Sequence, residues 1–207
     1  MAEHLYTYID PPSERDLKKA CETLKSGGIL SYPLGDNWGI GCDAANVKAL
    51  DKIRRLKPLH PKEQPFSLIC SDISMASSVG NIDHQMYRYL KKMWPGPYTA
   101  IVKRNRSLPR QIKDKRQAVG IKVPNSPLVL ALIEAYGAPL ATTSPPEKKD
   151  GGVFNMGYQI MEELGHSIDL ILDLGQELSG LESTVVDFTE GYPVVLRQGT
   201  GDISLFG

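Results

Sequence analysis

The chain has 207 residues, of which 41% are hydrophobic and 23% charged, and this composition is typical of a one-domain globular protein that buries a core without disulfides. Its formal net charge is zero, and no apolar run reaches the roughly 20 residues of a membrane-spanning helix, so no membrane association is expected. The polar start predicts no signal peptide, and three widely spaced cysteines indicate a reduced, cytoplasmic protein rather than a disulfide or zinc framework.

Helix-period and strand-period segments alternate along the first half of the chain. Helices are predicted to begin after Ser13, Asn46 and Asp83, whose side chains accept hydrogen bonds from the free N–H groups of a first turn. The predicted strands of this half are 29–32 and 66–70. The predicted apolar helix faces are Leu17, Ala20, Cys21 and Leu24 in the first helix, Val47, Leu50 and Ile53 in the second, and Met86, Tyr87 and Leu90 in the third.

The second half continues the alternation. A helix is predicted to begin at Ser126-Pro127, to bury Leu128, Leu132 and Ala135, and to end at Gly137. The remaining segments are predicted strands, at 98–102, 118–123, 140–143, 168–172, 183–188 and 194–196. Interleaved helices and strands without a repeat or a linker predict a single α/β domain, residues 1–207, built on one twisted sheet of parallel and antiparallel strands.

Charge is distributed unevenly along this chain. Residues 51–122 contain 16 Lys and Arg against 5 Asp and Glu, whereas the remainder contains 8 against 19. A domain with this distribution can present a basic face to a phosphate-bearing partner. The densest basic stretch is 103–116, and a solvated loop kept soluble by its charge is the alternative interpretation.

Polar residues follow several predicted strands, at the positions where open α/β sheets gather ligands. After the first strand, loop 34–37 and the sequence Gly39-Ile40-Gly41 allow either close backbone approach to a ligand or a tight turn into a helix. Lys57 follows a predicted helix, where a lysine either binds phosphate or compensates the helix dipole.

Two more polar groups lie on later strands. Thr99 and Lys103 share one strand face, with Lys122 on a second strand, and this pattern is typical of either a ligand site or a plain exposed face. The last group is Thr142, Ser144, Ser183 and Arg197. Hydroxyls at strand ends can satisfy loose backbone groups, while an arginine fork suits phosphate or carboxylate.

No residue set indicates nucleophilic catalysis. The four histidines lack a paired carboxylate and a Ser or Cys elbow in sequence, so all of them, His4, His60, His84 and His166, are predicted to be surface residues. No spacing matches a transition-metal site, and the sequence has no Walker-type loop.

Several ordered motifs together resemble the YrdC/YciO family. They are Tyr32-Pro33 through Gly39-Ile40-Gly41, Trp94-Pro95-Gly96-Pro97-Tyr98-Thr99, Thr142-Thr143-Ser144, Ser183-Thr184-Val185-Val186-Asp187 and Leu196-Arg197-Gln198-Gly199. The resemblance implies a YrdC/RibB-like α/β domain with a basic concave surface for ATP, double-stranded RNA or tRNA, or both. The best-known members join threonine, bicarbonate and ATP into threonylcarbamoyl-AMP for tRNA modification, and they release pyrophosphate.

The resemblance also assigns expected roles to individual residues. The expected nucleotide is ATP, a co-substrate that binds together with Mg²⁺. The residues expected to bind it are Lys57, Thr99, Ser144 and Arg197. Those expected to face the amino-acid substrate are Asp36, Lys103, Thr142 and Ser183. The expected RNA footprint is Lys57, Arg104, Arg106, Arg110 and Lys122.

Other positions depart from the family motifs and place the chain closer to the YciO branch. Asp36 replaces a threonine, Leu59 and Gln64 replace an arginine and a lysine, Lys122 replaces an arginine, and Pro146 replaces an asparagine. A charged contact to phosphate contributes about 1.5–3 kcal/mol, so the loss of two would weaken binding by roughly two orders of magnitude. Three functions therefore stay open: a synthase, a paralogue that only binds RNA or nucleotide, and an enzyme for another small substrate.

Overall fold

A computed structural model describes residues 1–8, 11–56, 66–105, 112 and 117–206. Its ten strands are β1 (Glu3–Tyr6), β2 (Leu30–Pro33), β3 (Trp38–Asp43), β4 (Ser67–Ile69), β5 (Tyr98–Lys103), β6 (Ala118–Lys122), β7 (Leu140–Thr143), β8 (Leu170–Asp173), β9 (Thr184–Asp187) and β10 (Val194–Arg197). Its α-helices are α1 (Glu14–Lys25), α2 (Val47–Leu56), α3 (Ile73–Val79), α4 (His84–Met93), α5 (Pro127–Tyr136) and α6 (Gly157–Leu164), and a 3-10 helix spans Ile203–Phe206.

All ten strands form one sheet in the order β1-β8-β2-β3-β7-β4-β6-β5-β9-β10. The pairs β1/β8, β2/β8, β4/β6 and β5/β9 are parallel, and the other five pairs are antiparallel. The expected α/β domain on one mixed sheet is therefore confirmed. Neighbouring strands are often distant in sequence, so the sheet assembles residues from the whole chain.

The two faces of the sheet are covered unequally. Helices α2, α3, α4 and α6 pack on the first face, where side chains such as Ile40, Leu68 and Ile121 are buried. On the second face, α1 and α5 cover one end, around Tyr32 and Leu140. Because alternate strand residues point to the same face, the polar residues Thr99 and Thr142 also belong to this second face, in a part that the described helices leave uncovered.

The helix starts follow the predicted capping chemistry. The Ser13 hydroxyl accepts a hydrogen bond from the backbone N–H of Asp16 at 3.3 Å, Asn46 Oδ1 accepts one at 3.0 Å, and Asp83 Oδ1 accepts one at 2.8 Å. Gly137 ends α5 with a φ of 79°, a left-handed conformation that glycine adopts without strain. These predictions are confirmed.

Three predicted core positions are wrong. Val47 and Tyr87 are 40% and 44% exposed, and Ala135 is also exposed. Helices α2 and α4 instead bury Ala49 and Met93. The predicted positions Leu50 and Ile53 of α2 and Met86 and Leu90 of α4 are buried as expected.

Elements with weak apolar patterns were missing from the prediction. The segment Gly39–Gly41 is neither a loop nor a turn into a helix, because it lies within β3 and pairs with β2 and β7. Its glycines hide the period-two pattern of Trp38, Ile40 and Cys42, all of which are buried. The short elements β1, α3 and α6 also had no prediction.

One histidine prediction is wrong as well. His4 is 14% exposed, and its Nε2 lies 2.8 Å from Oδ2 of the buried Asp173. This contact joins β1 to β8 across 169 positions of sequence. His84 and His166 are exposed as predicted, whereas His60 lies outside the described residues.

Candidate active site

A cavity of about 620 Å³ occupies the open part of the second sheet face. Strands β4, β5, β6, β7 and β9 supply its floor, and β10 together with the segment 180–183 supplies one wall. Residues 144–147, directly after β7, form the opposite wall. The predicted site residues that line this cavity are Thr99, Lys122, Thr142, Ser144, Ser183 and Arg197. The structure describes nine of the twelve predicted site residues, and the fold brings these six of the nine into one concave site.

Two buried hydroxyl groups meet at the floor of the cavity. Thr99 Oγ1 on β5 lies 3.0 Å from Ser183 Oγ at the start of β9, and both residues are buried. Parallel pairing of the two strands brings them together, with Thr99 in register with Val185. A hydroxyl can both donate and accept, so this pair can turn a donor or an acceptor toward a ligand.

A third hydroxyl extends this polar floor across the sheet. Thr142 is buried and donates through Oγ1 to the carbonyl of Ile40 at 3.3 Å. The register places Ser67 opposite both Thr142 and Gly120. A Cβ on Gly120 would lie 3.0 Å from Ser67 Oγ, so glycine leaves room at the centre of the floor. The floor is therefore polar, with space above Gly120 for a bound molecule.

Arg197 on β10 holds the Ser183 segment in place. Its Nε and Nη2 donate to the Ser183 carbonyl at 3.2 and 2.9 Å, and its Nη1 lies 2.6 Å from a carboxylate oxygen of Glu182. The arginine fork is therefore partly engaged within the protein, while its side chain stays 43% exposed at the cavity. An anion that enters the cavity would therefore contact a guanidinium that is already held in position and that is paired with one carboxylate.

Lys122 is the last residue of β6 and lines the cavity beside this cluster. The pKa of Lys122 is lowered to about 8, mainly by burial; the positive charge of Arg197 adds to the lowering, and Glu182 opposes it. Within the described ranges, no side chain accepts a hydrogen bond from its ammonium. A partly neutral amine in a ligand-sized cavity is available for binding or for proton transfer.

Asp36 lies in a side pocket of about 20 Å³ that shares Lys122 and Ser183 with the main cavity. Its Oδ2 accepts a hydrogen bond from Thr200 Oγ1 at 2.9 Å, and its carbonyl accepts one from the backbone N–H of Gly180 at 2.8 Å. Asp36 therefore ties the loop after β2 to two segments that flank the site. Its role toward the amino acid stays a prediction.

The predicted RNA footprint is only partly described by the structure. Arg104 does not line the cavity. Lys103, which was expected to face the amino-acid substrate, is exposed and does not line the cavity either. Arg104 Nη2 donates to the side chain of Gln117, which holds it within its own loop. Three cations of the predicted RNA footprint, Lys57, Arg106 and Arg110, lie outside the described residues. Two departures from the family motifs, Leu59 and Gln64, lie outside them as well.

The sequence predictions overlooked the acidic part of the cavity wall. Glu182 and Glu147 both line the cavity. Among the lining residues that the structure describes, two carboxylates thus face the two cations Lys122 and Arg197. The position of Glu182 next to Ser183 in the sequence was the available signal. Its pairing with Arg197 depends on β9 and β10 lying side by side.

Other kinds of site find no support in the described parts of the chain. Burial raises the pKa of Cys42 and Cys70 to about 12, so these thiols stay protonated, and no disulfide is formed there. The described residues contain no group of three or more His, Cys, Asp or Glu side chains arranged to hold a metal. Over the same residues, no helix is both long and apolar enough to cross a bilayer. The cytoplasmic location stays a prediction.

The chain is thus an α/β domain whose mixed sheet has a hydroxyl-lined cavity on one face. The profile of the Sua5/YciO/YrdC family, described as "Telomere recombination", matches residues 22–199. The chain therefore belongs to this family, as its motifs predicted.

Three relatives show where the chain lies within that family. The uncharacterized protein YciO of Escherichia coli is 33% identical over the full length of both chains, and its crystal structure superposes with a TM-score of 0.91. A threonylcarbamoyl-AMP synthase of Saccharophagus degradans is 32% identical over 62% of this chain and 67% of its own. Pyrococcus abyssi Sua5, solved with L-threonine, is 25% identical with a TM-score of 0.86, and the match covers 96% of this chain and 58% of Sua5.

Proposed function

We propose that the cavity binds ATP and threonine and that the protein transfers an adenylyl group to give threonylcarbamoyl-AMP. The observation that carries this proposal is the cluster of Thr99, Ser183 and Arg197, in which a hydroxyl pair 3.0 Å apart is held by an arginine fork. The cavity volume of about 620 Å³ lies in the range of small-molecule sites, roughly 300–1,000 Å³. The names of the synthase relatives and the threonine bound to Sua5 indicate which small molecules to test.

The proposed reaction needs positioning rather than a protein nucleophile. The threonine amine reacts with bicarbonate to give a carbamate and water. A carbamate oxygen then attacks the α-phosphorus of ATP, the bond to the leaving oxygen breaks, and pyrophosphate departs. Hydroxyls and cations aimed at the developing charge supply the catalysis. Mg²⁺ would arrive bound to the ATP phosphates.

Roles within the cavity follow from position. Arg197 and Ser144 lie on opposite walls, so a nucleotide that spans the cavity contacts both. Thr142 belongs to the floor of the main cavity, and Ser183 lines both this cavity and the side pocket. The amino acid is proposed to bind between these two hydroxyls. Lys57, outside the described residues, is proposed as a further phosphate contact on the strength of its motif alone.

The charge of the cavity favours binding of a small molecule over binding of duplex RNA. Glu147 and Glu182 offset Lys122 and Arg197 in the described lining, whereas RNA-binding surfaces carry a clear excess of positive charge. Arg104 is already bonded to Gln117. RNA binding through the basic stretch is therefore the competing outcome of the test below.

The decisive experiment supplies the purified protein with ATP, threonine and bicarbonate and measures pyrophosphate and adenylate. The Saccharophagus degradans synthase serves as the positive control. Product that depends on all three substrates supports the proposal. An absence of product, together with duplex RNA binding that weakens steeply as salt rises, would support the RNA-binding paralogue instead.

Matched serine variants locate the reaction in the cavity. Ser183→Ala removes the buried hydroxyl beside Thr99, whereas Ser77→Ala removes an exposed hydroxyl on α3 that donates to the Ile73 carbonyl. Ser183→Ala is expected to reduce kcat/KM for threonine by roughly tenfold, because a lost hydrogen bond costs about 1–1.5 kcal/mol. Equal activity in the two variants would place the reaction elsewhere.

A further inference from the structure

Lys122 is the single amine among the described lining residues of the cavity. The backbone holds it firmly, because its carbonyl accepts a hydrogen bond from the Cys70 N–H at 2.9 Å and its neighbour across the parallel pair is Ile69. It lines both the main cavity and the side pocket, as Ser183 does. The amine therefore lies where the floor cluster and the side pocket meet.

Among the described residues, the charged groups near this amine do not contact it directly. Arg197 on β10 repels the ammonium, and Glu182 attracts it while being paired with Arg197. Asp36 in the side pocket accepts a hydrogen bond from Thr200, and Glu147 belongs to the opposite wall. Within the described part of the chain, no carboxylate contacts the Lys122 ammonium, so nothing fixes it in the charged form.

We propose that Lys122 accepts the proton that the substrate amine must lose before it reacts with bicarbonate. This inference rests on the proposed function, since it concerns the same cavity and substrates. A primary ammonium has no free electron pair and cannot attack carbon. Proton transfer from the substrate ammonium to the Lys122 Nζ leaves a neutral substrate amine and a charged lysine.

The remaining atoms balance without another reactant. The amine lone pair forms the N–C bond to bicarbonate, a C–O bond breaks, and the departing hydroxide combines with the second amine proton as water. The product is a carbamate anion, which the newly charged Lys122 stabilises from the same position. The lysine then loses its proton to solvent for the next cycle.

The chemistry of the residue suits this role. Lysine carries a single amine whose pKa falls to about 8 here, and a base works best when its pKa lies near the operating pH. Arginine at the same position would keep a positive charge and would not accept a proton under these conditions. Comparing lysine with arginine at position 122 therefore distinguishes an effect of proton transfer from an effect of positive charge.

The test compares wild type with Lys122→Arg and Lys122→Met at saturating ATP, threonine and bicarbonate from pH 6.5 to 9.5. Calorimetry with a non-hydrolysable ATP analogue measures binding, and thermal melting checks folding. For wild type, kcat is expected to rise with pH and level near pH 8. Lys122→Arg is expected to keep the analogue affinity within about threefold, to lose about 100-fold in kcat and to lose the inflection near pH 8.

Each outcome decides one question. A Lys122→Arg enzyme with wild-type kcat and the same pH profile would show that Lys122 does not accept the proton. If Lys122→Met loses analogue affinity in parallel with kcat while Lys122→Arg keeps both, the residue is a binding cation and the inference is wrong. A wild type that binds the analogue but releases no pyrophosphate would overturn the proposed function itself, and the inference with it.

Discussion

Replacing Lys122 with methionine is expected to stabilise the protein at neutral pH. The pKa of Lys122 is lowered to about 8 in the folded protein from 10.5, mainly by burial. At about 1.4 kcal/mol per pKa unit, the charged form costs about 3–4 kcal/mol below pH 8. Methionine has a similar length and no charge, so the folded Lys122→Met protein does not bear the free-energy cost of a buried charge at this position.

The sign of the pH dependence follows from proton binding. Between pH 8 and 10.5 the unfolded chain binds the Lys122 proton more tightly than the folded chain, so the unfolding free energy of wild type rises with pH across this window. The advantage of Lys122→Met is therefore present below pH 8 and shrinks as the pH approaches 10.5. All other groups titrate in both proteins, so the difference between them isolates Lys122.

Urea unfolding of both proteins at pH 7, 8.5 and 10 measures this difference. Lys103→Met serves as the matched control, because Lys103 is exposed on the neighbouring strand β5 and its replacement is expected to change stability by less than about 0.5 kcal/mol. A stability difference between wild type and Lys122→Met that stays constant from pH 7 to pH 10 would refute the argument, because Lys122 would then be an ordinary surface lysine.

Two other contacts give further predictions. His4→Ala is expected to cost about 1–3 kcal/mol of unfolding free energy, because it leaves Oδ2 of the buried Asp173 carboxylate without its partner. His166→Ala, at an exposed position, is expected to cost less than about 0.5 kcal/mol, and equal costs in urea unfolding would contradict this. Glu182→Gln is expected to tighten binding of the ATP analogue about two- to fivefold at low salt, because it frees the Arg197 fork from a partly exposed ion pair. Weaker binding in calorimetry would show that Glu182 is needed to position Arg197.

Local chemistry made much of the fold predictable from sequence. Ser13, Asn46 and Asp83 cap helices through contacts only three residues long, so the signal lies within a short window. The failures have the opposite cause. His4 and Asp173 meet across 169 positions, and no local pattern marks a histidine whose partner is so distant. Strand β3 was missed because Gly39 and Gly41 carry no side chain to show the alternation.

The candidate site was predictable as a set of residues but not as a geometry. Thr99 and Ser183 lie 84 positions apart, and only the parallel pairing of β5 with β9 brings their hydroxyls to 3.0 Å. The motifs identified both residues separately. They did not show that Arg197 donates two hydrogen bonds to the Ser183 carbonyl, nor that Arg197 forms an ion pair with Glu182. Those contacts depend on how the last two strands pair.

Strand β10 ends the described sheet and is hydrogen-bonded along one side only, to β9, while all four of its residues are exposed. Such end strands separate from a sheet at low energetic cost. Each separation would carry the guanidinium away from the Ser183 carbonyl and widen the cavity along its whole β10 side. The arrangement in which Arg197 holds the Ser183 carbonyl thus depends on a strand that a single sheet neighbour, β9, keeps in place.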